Sequence, residues 1–505
     1  MSLMEPLAIR LGGQTTPAKS LVMPRYSEYK ASGIDWLGEV PEHWDVKSIK
    51  WLSPVQRGAS PRPIDDPKYF DDEGEYAWVR IADVSASDGE LRDTTQRLSD
   101  LGSSLSVKIN PGELFISIAG TVGKPCISAI KACIHDGFVY FPTLQIPPIF
   151  LYRIFEAGVC YGGLGKFGTQ LNLNTDTIGS IRIALPPTDE LNAILTFLDR
   201  ETRKIDALIA EQRRLVELLA EKRQAVISHA VTKGLGARHS GAGRNPAEKI
   251  IPQSGQNRCP VTQEFSNQLD SGLRRNDGVA MKDSGIAWLG EVPVHWEVMK
   301  MKHLASRIAS GKTPLGGSEI YVDEGVMFLR SQNVYDEGLR LEDVAYISEA
   351  IDEMMSVSSI RPNDILLNVT GASIGRSCVV PSEFPSANVN QHVCVIRLRT
   401  LAQVPFVGLF FKSMPVKNQI DHAQNGAARE GLNFDQIGNM SIALPPLEEQ
   451  QTIAAFLDTE TAKFDALTLE ANRAIALLQE RRSALISAAV TGKIDVRKFA
   501  NQEAI

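Results

Sequence analysis

The chain has little of what marks a catalytic, metal-holding or membrane protein. Its 505 residues include six cysteines, Cys126, Cys133, Cys160, Cys259, Cys378 and Cys394. No C-x-x-C pair occurs and no histidine stands at finger spacing from them, which argues against a structural metal site. No apolar run reaches the roughly 18 residues of a membrane span. The opening MSLMEPLAIRLGG lacks the charged start, apolar run and cleavage site of a secretory signal, so the expected compartment is the cytoplasm. An excess of positive charge is also missing, because 53 Lys and Arg face 60 Asp and Glu for a net −7. A chain that binds nucleic acid unaided usually has a basic balance. Any phosphate-neutralising charge must therefore come from local patches or from partner chains.

Nucleotide and methyl-donor motifs are lacking too. Gly120-Thr121-Val122-Gly123-Lys124 and Ser310-Gly311-Lys312-Thr313 carry the glycine and lysine of a phosphate-cradling loop. That loop needs a glycine five positions before the one preceding the lysine, where this chain has Ile118 and Ser306. Pro125 and Pro314 then stand where the phosphate-capping helix would have to propagate. No Asn-Pro-Pro-aromatic tetrad occurs, and no glycine-rich turn suits S-adenosylmethionine, so a methyl donor must bind elsewhere. Asp65-Asp66 and Asp71-Asp72 lie in a polar, proline-flanked stretch and read as loop surface rather than nuclease metal ligands. His43 and His295, each before a tryptophan, have no nucleophile signature nearby and read as parts of a packed corner rather than catalytic bases.

What is present is a duplication. Gly33-Ile34-Asp35-Trp36-Leu37-Gly38-Glu39-Val40-Pro41-Glu42-His43-Trp44 recurs as Gly285-Ile286-Ala287-Trp288-Leu289-Gly290-Glu291-Val292-Pro293-Val294-His295-Trp296, displaced by 252 positions from 33 to 285. Ile183-Ala184-Leu185-Pro186-Pro187 recurs as Ile442-Ala443-Leu444-Pro445-Pro446, displaced by 259 from 185 to 444. Between these anchors, Ile109 to Leu114 aligns with Ile360 to Ile365. The apolar runs Ala77–Val84, Phe115–Gly120, Met327–Val334 and Leu366–Gly371 read as buried strands. With 43% hydrophobic and 22% charged residues the composition is that of folded domains, and the length calls for more than one of them.

After each Pro-Pro the pattern turns helical, with Asp189 or Glu448 near the start, where acidic side chains offset the helix dipole. Leu191, Leu198, Ile205, Leu219 and Val226 recur at heptad spacing, with Ile194, Leu208 and Leu215 alternating and Gln212 as the polar exception. The later segment carries Leu457, Phe464, Leu478 and Leu485, with Ile453 and Leu467 between them and Ala471 and Ala474 interrupting. Asp189 to Val231 would run roughly 65 Å at about 1.5 Å per residue. Alone in water such a stripe stays exposed, so the two helices are expected to pack on each other; two unrelated surface helices are the competing reading. The polar, Gly- and Pro-punctuated stretch from 236 to 280 has no counterpart in the other half and reads as an inserted mobile linker, its arginines solvated rather than on DNA.

The paired G-I-x-W-L-G-E-V-P-x-H-W openings, the paired I-A-L-P-P junctions, the following Phe197-Leu198-Asp199 and Phe456-Leu457-Asp458, and the closing Ala489 to Asp495 together resemble the specificity subunits of type I restriction-modification systems over nearly the whole chain. The resemblance implies an α+β chain of two mixed α/β target-recognition domains, each followed by a long helix. The two helices would pack as an antiparallel coiled coil with pseudo-twofold symmetry. The boundaries are then an extension over 1–28, domains over 29–187 and 281–446, helices over 188–235 and 447–505 with the tail, and the insert between. It also implies a bipartite double-stranded DNA target, two modification (methyltransferase) subunits bound by the helices, and restriction subunits docked on that assembly. S-adenosylmethionine, ATP and Mg2+ would sit on the partners and the chain itself would have no catalytic residue. Val231-Thr232-Lys233-Gly234 departs from Val490-Thr491-Gly492-Lys493 in the order of its last two residues, next to the insert.

An antiparallel pair would present both domains to one duplex with half-sites about one turn (~34 Å) apart. A parallel pair remains open, because an extended linker of this length can run back along the helices. Candidate DNA contacts are loop residues of the variable regions, Arg57, Ser60, Lys124, Lys166, Thr169, Gln170 and Asn172 in the first domain, and Lys312, Thr313, Arg376, Asn390, Gln391 and Arg429 in the second. Arg213, Arg214, Arg223, Arg473, Arg481 and Arg482 represent the outer helix faces nominated for partner binding. An ordinary solvated polar residue competes at every one of these positions. The alternatives for the whole chain are a coiled-coil scaffold whose domains bind a ligand other than DNA, and a self-contained methyltransferase or nuclease.

Overall fold

The computed structural model describes residues 23–162, 173–235, 279–314, 316, 320–424 and 431–499. Lys166, Thr169, Gln170, Asn172, Arg429, most of the 1–28 extension and all but the last two positions of the 236–280 stretch lie outside the described residues. The chain divides into two compact units, one of residues up to Arg213 together with those from Asn472 onward, the other Arg214–Ala471. Each unit therefore takes the beginning of one long helix and the end of the other, where the sequence reading gives each domain a helix of its own.

Each domain opens with the duplicated motif as a small antiparallel hairpin, Tyr29–Ala31 on Glu39–Pro41 and Met281–Asp283 on Glu291–Pro293. The next strand pairs with the strand before Pro-Pro, Asp45–Ser48 on Arg182–Leu185 and Glu297–Lys300 on Ser441–Leu444. The two anchors found by repetition are thus hydrogen-bonded neighbours. Among the described residues, the first domain holds a five-stranded sheet with Leu114–Ser117 at its centre and a four-stranded sheet with Tyr76–Val79 beside Ala132–Ile134. The second domain repeats both themes as four-stranded sheets around Ile365–Asn368 and around Val326–Leu329 with Ala387–Val389.

All four apolar runs are shorter as strands than expected: Phe115–Gly120 gives Leu114–Ser117 and Leu366–Gly371 gives Ile365–Asn368, and the other two end at a side-chain to backbone bond. Ala77–Val84 divides into the strand Tyr76–Val79 and the helix Ile81–Ala86, because the Asp83 carboxylate accepts the Arg80 backbone N–H at 2.9 Å and turns the chain. Val326–Leu329 ends in the same way, where the Asn333 side chain accepts the Arg330 N–H at 2.9 Å.

The long helices are Thr188–Lys233 and Leu447–Val490. In the first unit Leu191, Ile194, Phe197 and Leu198 share one core with Ile486, Ala489 and Val490 and with Trp44, Phe150 and Phe155 of the domain. In the second, Leu219, Val226, Ile227, Ala230 and Val231 share a core with Ile453, Leu457 and Phe464 and with Trp296, Phe406 and Phe410. The expected stripe needs two corrections. Leu208 is 46% exposed and Ile209 takes its place at 7%, while Leu467 is 44% exposed and the small Ala471 is buried instead. A helix that keeps 3.6 residues per turn drifts off a strict heptad. Among the described residues no helix is long and apolar enough to cross a membrane.

Candidate nucleic-acid interface and helix contacts

The duplicated His-Trp pair grips the first turn of the long helix in its own half. His43 Nε2 lies 2.8 Å from Glu190 Oε2, and the buried Trp44 indole donates to Glu190 Oε1 at 3.0 Å. His295 Nε2 lies 2.8 Å from Glu449 Oε2, and Trp296 donates to Glu449 Oε1 at 3.1 Å. Asp189 and Glu448 were the expected helix-start acids, yet the residue after each holds the corner. The signal was available, since Glu190 and Glu449 are identical residues at the same 259 displacement. The end of the other helix closes each corner. Gly492, at φ +71°, packs against Pro41 and Trp44, and Gly234, at φ +77°, against Glu449 and Trp296. The swapped glycine and lysine reflect two helix endings. Lys493 N–H reaches back to Ala488 O at 2.9 Å, whereas Gly234 N–H bonds Ala230 O at 3.1 Å.

Two nominated arginines are not on outer faces. Arg482 bonds Asp206 through Nε at 2.8 Å and Glu156 through Nη1 at 2.8 Å. Burial works against its charge, but Glu156 and Asp206 outweigh this and raise its pKa above the ordinary arginine value. Arg223 lies 3.6 Å from Asp465 and 3.8 Å from Glu337. From 223 to 482 and from 206 to 465 the displacement is again 259, so each helix gives the same arginine and the same aspartate to the same contact. Both arginines stand on the apolar stripe, Arg223 between Leu219 and Val226 and Arg482 between Leu478 and Leu485, which explains their inward direction. Arg213, Arg214, Arg473 and Arg481 are exposed, with Arg214 paired to Glu217 at 3.0 Å.

The described DNA candidates gather at matching places. In the first domain Gly58 and Ala59 donate to Phe138 O and Ile134 O at 3.0 and 3.1 Å, an approach so close that a Cβ on Gly58 would enter the His135 carbonyl. This brings Arg57 to the backbone of Asp136 and Ser60 to its carboxylate at 3.2 Å. In the second domain Gly311 and Lys312 make the same bonds to Val393 O and Val389 O at 3.0 and 3.2 Å. Exposed Lys312, Thr313 and Gln391 and buried Asn390 thus share one edge, with Asn390 Oδ1 accepting His392 N–H at 3.1 Å.

Lys124 and Arg376 follow equivalent turns, in which Ser117 and Asn368 donate to their carbonyls at 3.1 and 2.9 Å. Their side chains differ. Lys124 Nζ donates to Ser85 O at 2.9 Å and Ser87 O at 2.8 Å, while the Arg376 guanidinium stands 4.8 Å from the Tyr335 ring centre. Neither phosphate-loop lookalike leads into a helix, since Pro125–Ser128 is a strand and Lys312 to Pro314 is irregular. Among the described residues no three His, Cys, Asp or Glu side chains gather as metal ligands. The described cysteines are buried, and burial pushes the Cys126 and Cys133 thiols up to about 11.

Two copies of a mixed domain, each clamped at a Pro-Pro corner to a long helix, define a duplicated domain-and-helix protein. The family model for the type I restriction modification DNA specificity domain matches residues 41–218 and 293–477, once per copy, and the chain belongs to that family. The specificity subunit of the type I restriction enzyme EcoBI from Escherichia coli is 22% identical over 331 residues, 65% of this chain but only 61% of that relative's length. The putative type I restriction enzyme MjaX specificity subunit of Methanocaldococcus jannaschii is 22% identical over 484 residues, 91% of this chain and 96% of the relative. A solved structure from work on complex assembly and conformational transition of the type I R-M system is similar at TM-score 0.54 and 15% identity, covering 89% of this chain and 98% of that one. At that identity the likeness speaks for the fold alone.

Proposed function

We propose that this chain is the non-catalytic DNA-recognition subunit of a type I restriction-modification complex, each domain reading one half of a bipartite target. The long helices run antiparallel as a coiled coil with pseudo-twofold symmetry, and they tether modification and restriction subunits. S-adenosylmethionine, ATP and Mg2+ belong to those partners. The observation that carries the reading is the reciprocity of the contacts. Arg482 with Asp206 in one unit repeats Arg223 with Asp465 in the other, and each corner clamp is closed by the end of the opposite helix. Reciprocity of this kind is what a tandem repeat needs to match a two-part site on a duplex. Arg57, Ser60, Lys312, Thr313, Asn390 and Gln391 are the described polar edge residues we nominate for DNA contact.

Co-expression with a type I modification subunit, followed by a methylation map of plasmid DNA, tests the proposal. A single split motif methylated on both strands is expected. A complex that forms without any motif favours a scaffold, and labelling of DNA from S-adenosylmethionine by the purified chain alone overturns the non-catalytic reading.

A further inference from the structure

We infer that Arg340, Tyr335 and Arg376 of the second domain form a contact for a DNA backbone phosphodiester, with no equivalent at the matching turn of the first. The inference rests on the DNA-reading function proposed above and supplies one of its contacts. The Arg340 and Arg376 guanidinium carbons stand 3.6 Å and 4.8 Å from the centre of the Tyr335 ring. Two cations gathered on one ring repel each other unless an anion comes between them. Neither guanidinium makes a hydrogen bond or ion pair with any described residue. Held over the ring and without a carboxylate partner, the two guanidiniums offer their N–H groups to an oxyanion, and paired N–H donors are how arginine takes phosphate.

The cluster is also held in place. Val334–Tyr335 pairs with Gly338–Leu339 in a tight hairpin. The Arg340 backbone is fixed on both sides by the buried Asn333, donating to its carbonyl at 2.9 Å and accepting from its side chain at 2.9 Å. Arg376 is anchored by its N–H on Ser373 O at 3.1 Å and by its carbonyl on Asn368 N–H. The two carboxylates on the hairpin turn are engaged elsewhere. Asp336 accepts Ser377 N–H at 3.0 Å and lies 3.8 Å from Lys417, and Glu337 lies 3.8 Å from Arg223. The site thus keeps its positive charge. Phosphate contacts set register and carry no sequence information, so this cluster positions the domain rather than reading bases.

The test is the salt dependence of binding of the full chain, co-purified with a type I modification subunit, to a fluorescein-labelled, mixed-sequence DNA duplex, followed by anisotropy. Arg340→Ala/Arg376→Ala is expected to flatten the slope of log affinity against log salt by about 0.9, the value for the one phosphate given up, and to weaken binding about tenfold at moderate salt. Exposed Arg340→Ala alone is expected to produce about half of that change, and it carries the test if the double variant unfolds. Tyr335→Phe, which keeps the ring, should retain the wild-type slope, and Tyr335→Ala should not. Wild-type slope and affinity in a folded double variant overturn this inference alone. A wild-type complex that binds no duplex overturns the DNA-reading proposal and this contact with it.

Discussion

The two corners where a long helix leaves its domain are built from the same three residues, but they are not equally closed. Glu190 is 6% exposed, whereas Glu449 is 30% exposed. At the first corner the segment beyond the end of the opposite helix adds cover. After Val490 the chain continues over the first corner, where Asp495 N–H bonds Pro24 O at 2.7 Å and Arg497, held by Asp495 at 2.7 Å, stacks 5.0 Å from the Tyr26 ring. Tyr26 in turn packs edge-on against Trp44, with ring centres 5.8 Å apart. The second corner receives the end of the first helix at Gly234. A duplicated motif therefore sets the chemistry of a clamp, and the chain around it sets how dry, and so how costly to break, that clamp is.

The sharpest way to break this comparison is to remove each carboxylate. Glu190→Ala leaves the fully buried Trp44 indole N–H without a partner, and the loss expected is about 3 kcal/mol. Glu449→Ala is expected to cost about half as much, roughly 1.5 kcal/mol, because water reaches the second corner and replaces part of what is lost. Urea unfolding followed by circular dichroism, with the midpoint shift of each variant compared, measures both. Equal shifts would show that the C-terminal tail adds nothing to the first clamp.

The glycines that close the corners give a second, smaller contrast. An alanine at 492 would place its Cβ 2.7 Å from Pro41 Cγ and 3.1 Å from Trp44 Cζ3, on a ring fixed to the backbone and a fully buried indole. At 234 the nearest atoms are Glu449 Oε1 at 3.2 Å and Trp296 Cζ2 at 3.4 Å, and the first can yield. Both positions carry the strain of a left-handed backbone, about 1 kcal/mol. Gly492→Ala should cost about 1 kcal/mol more than Gly234→Ala, because overpacking adds to the strain at one corner only. Thermal melts of the two variants decide it, and a larger shift for Gly234→Ala would reverse the assignment of the tighter corner.

The parts of this fold that were legible in sequence are those that repetition or period encodes. The 252 and 259 displacements located both clamps and both helices, and they also mark the Arg223/Arg482 and Asp206/Asp465 contacts, because a residue kept at the same displacement meets the same neighbours. Direction on a helix was harder. A charged side chain invites an outward reading, and only its position between Leu219 and Val226, or between Leu478 and Leu485, shows that it points inward. The strand ends at Val79 and Leu329 were hidden because one side-chain to backbone bond turns the chain inside an unbroken apolar run. The fates of Lys124 and Arg376 were beyond the sequence. They occupy equivalent turns, and the outcome depends on distant residues, Ser85 and Ser87 in one copy and Tyr335 in the other.

The smallest expected contrast lies along the helices. Arg482 meets Asp206 at two points, Nε to Oδ1 at 2.8 Å and Nη2 to Oδ2 at 3.3 Å, whereas Arg223 approaches Asp465 only to 3.6 Å. Both aspartates are more than half exposed, at 51% and 58%, so solvent screens each pair and neither reaches the energy of a buried bridge. A double-mutant cycle with Arg482→Ala and Asp206→Ala is expected to give a coupling of about 1 kcal/mol, and the cycle with Arg223→Ala and Asp465→Ala a few tenths, about 0.3 kcal/mol. Raising the salt to roughly 1 M, where the screening length falls to about 3 Å, should shrink the first more than the second in absolute terms. Equal couplings in the two cycles would mean that the helices hold the same register at both ends, despite the unequal distances.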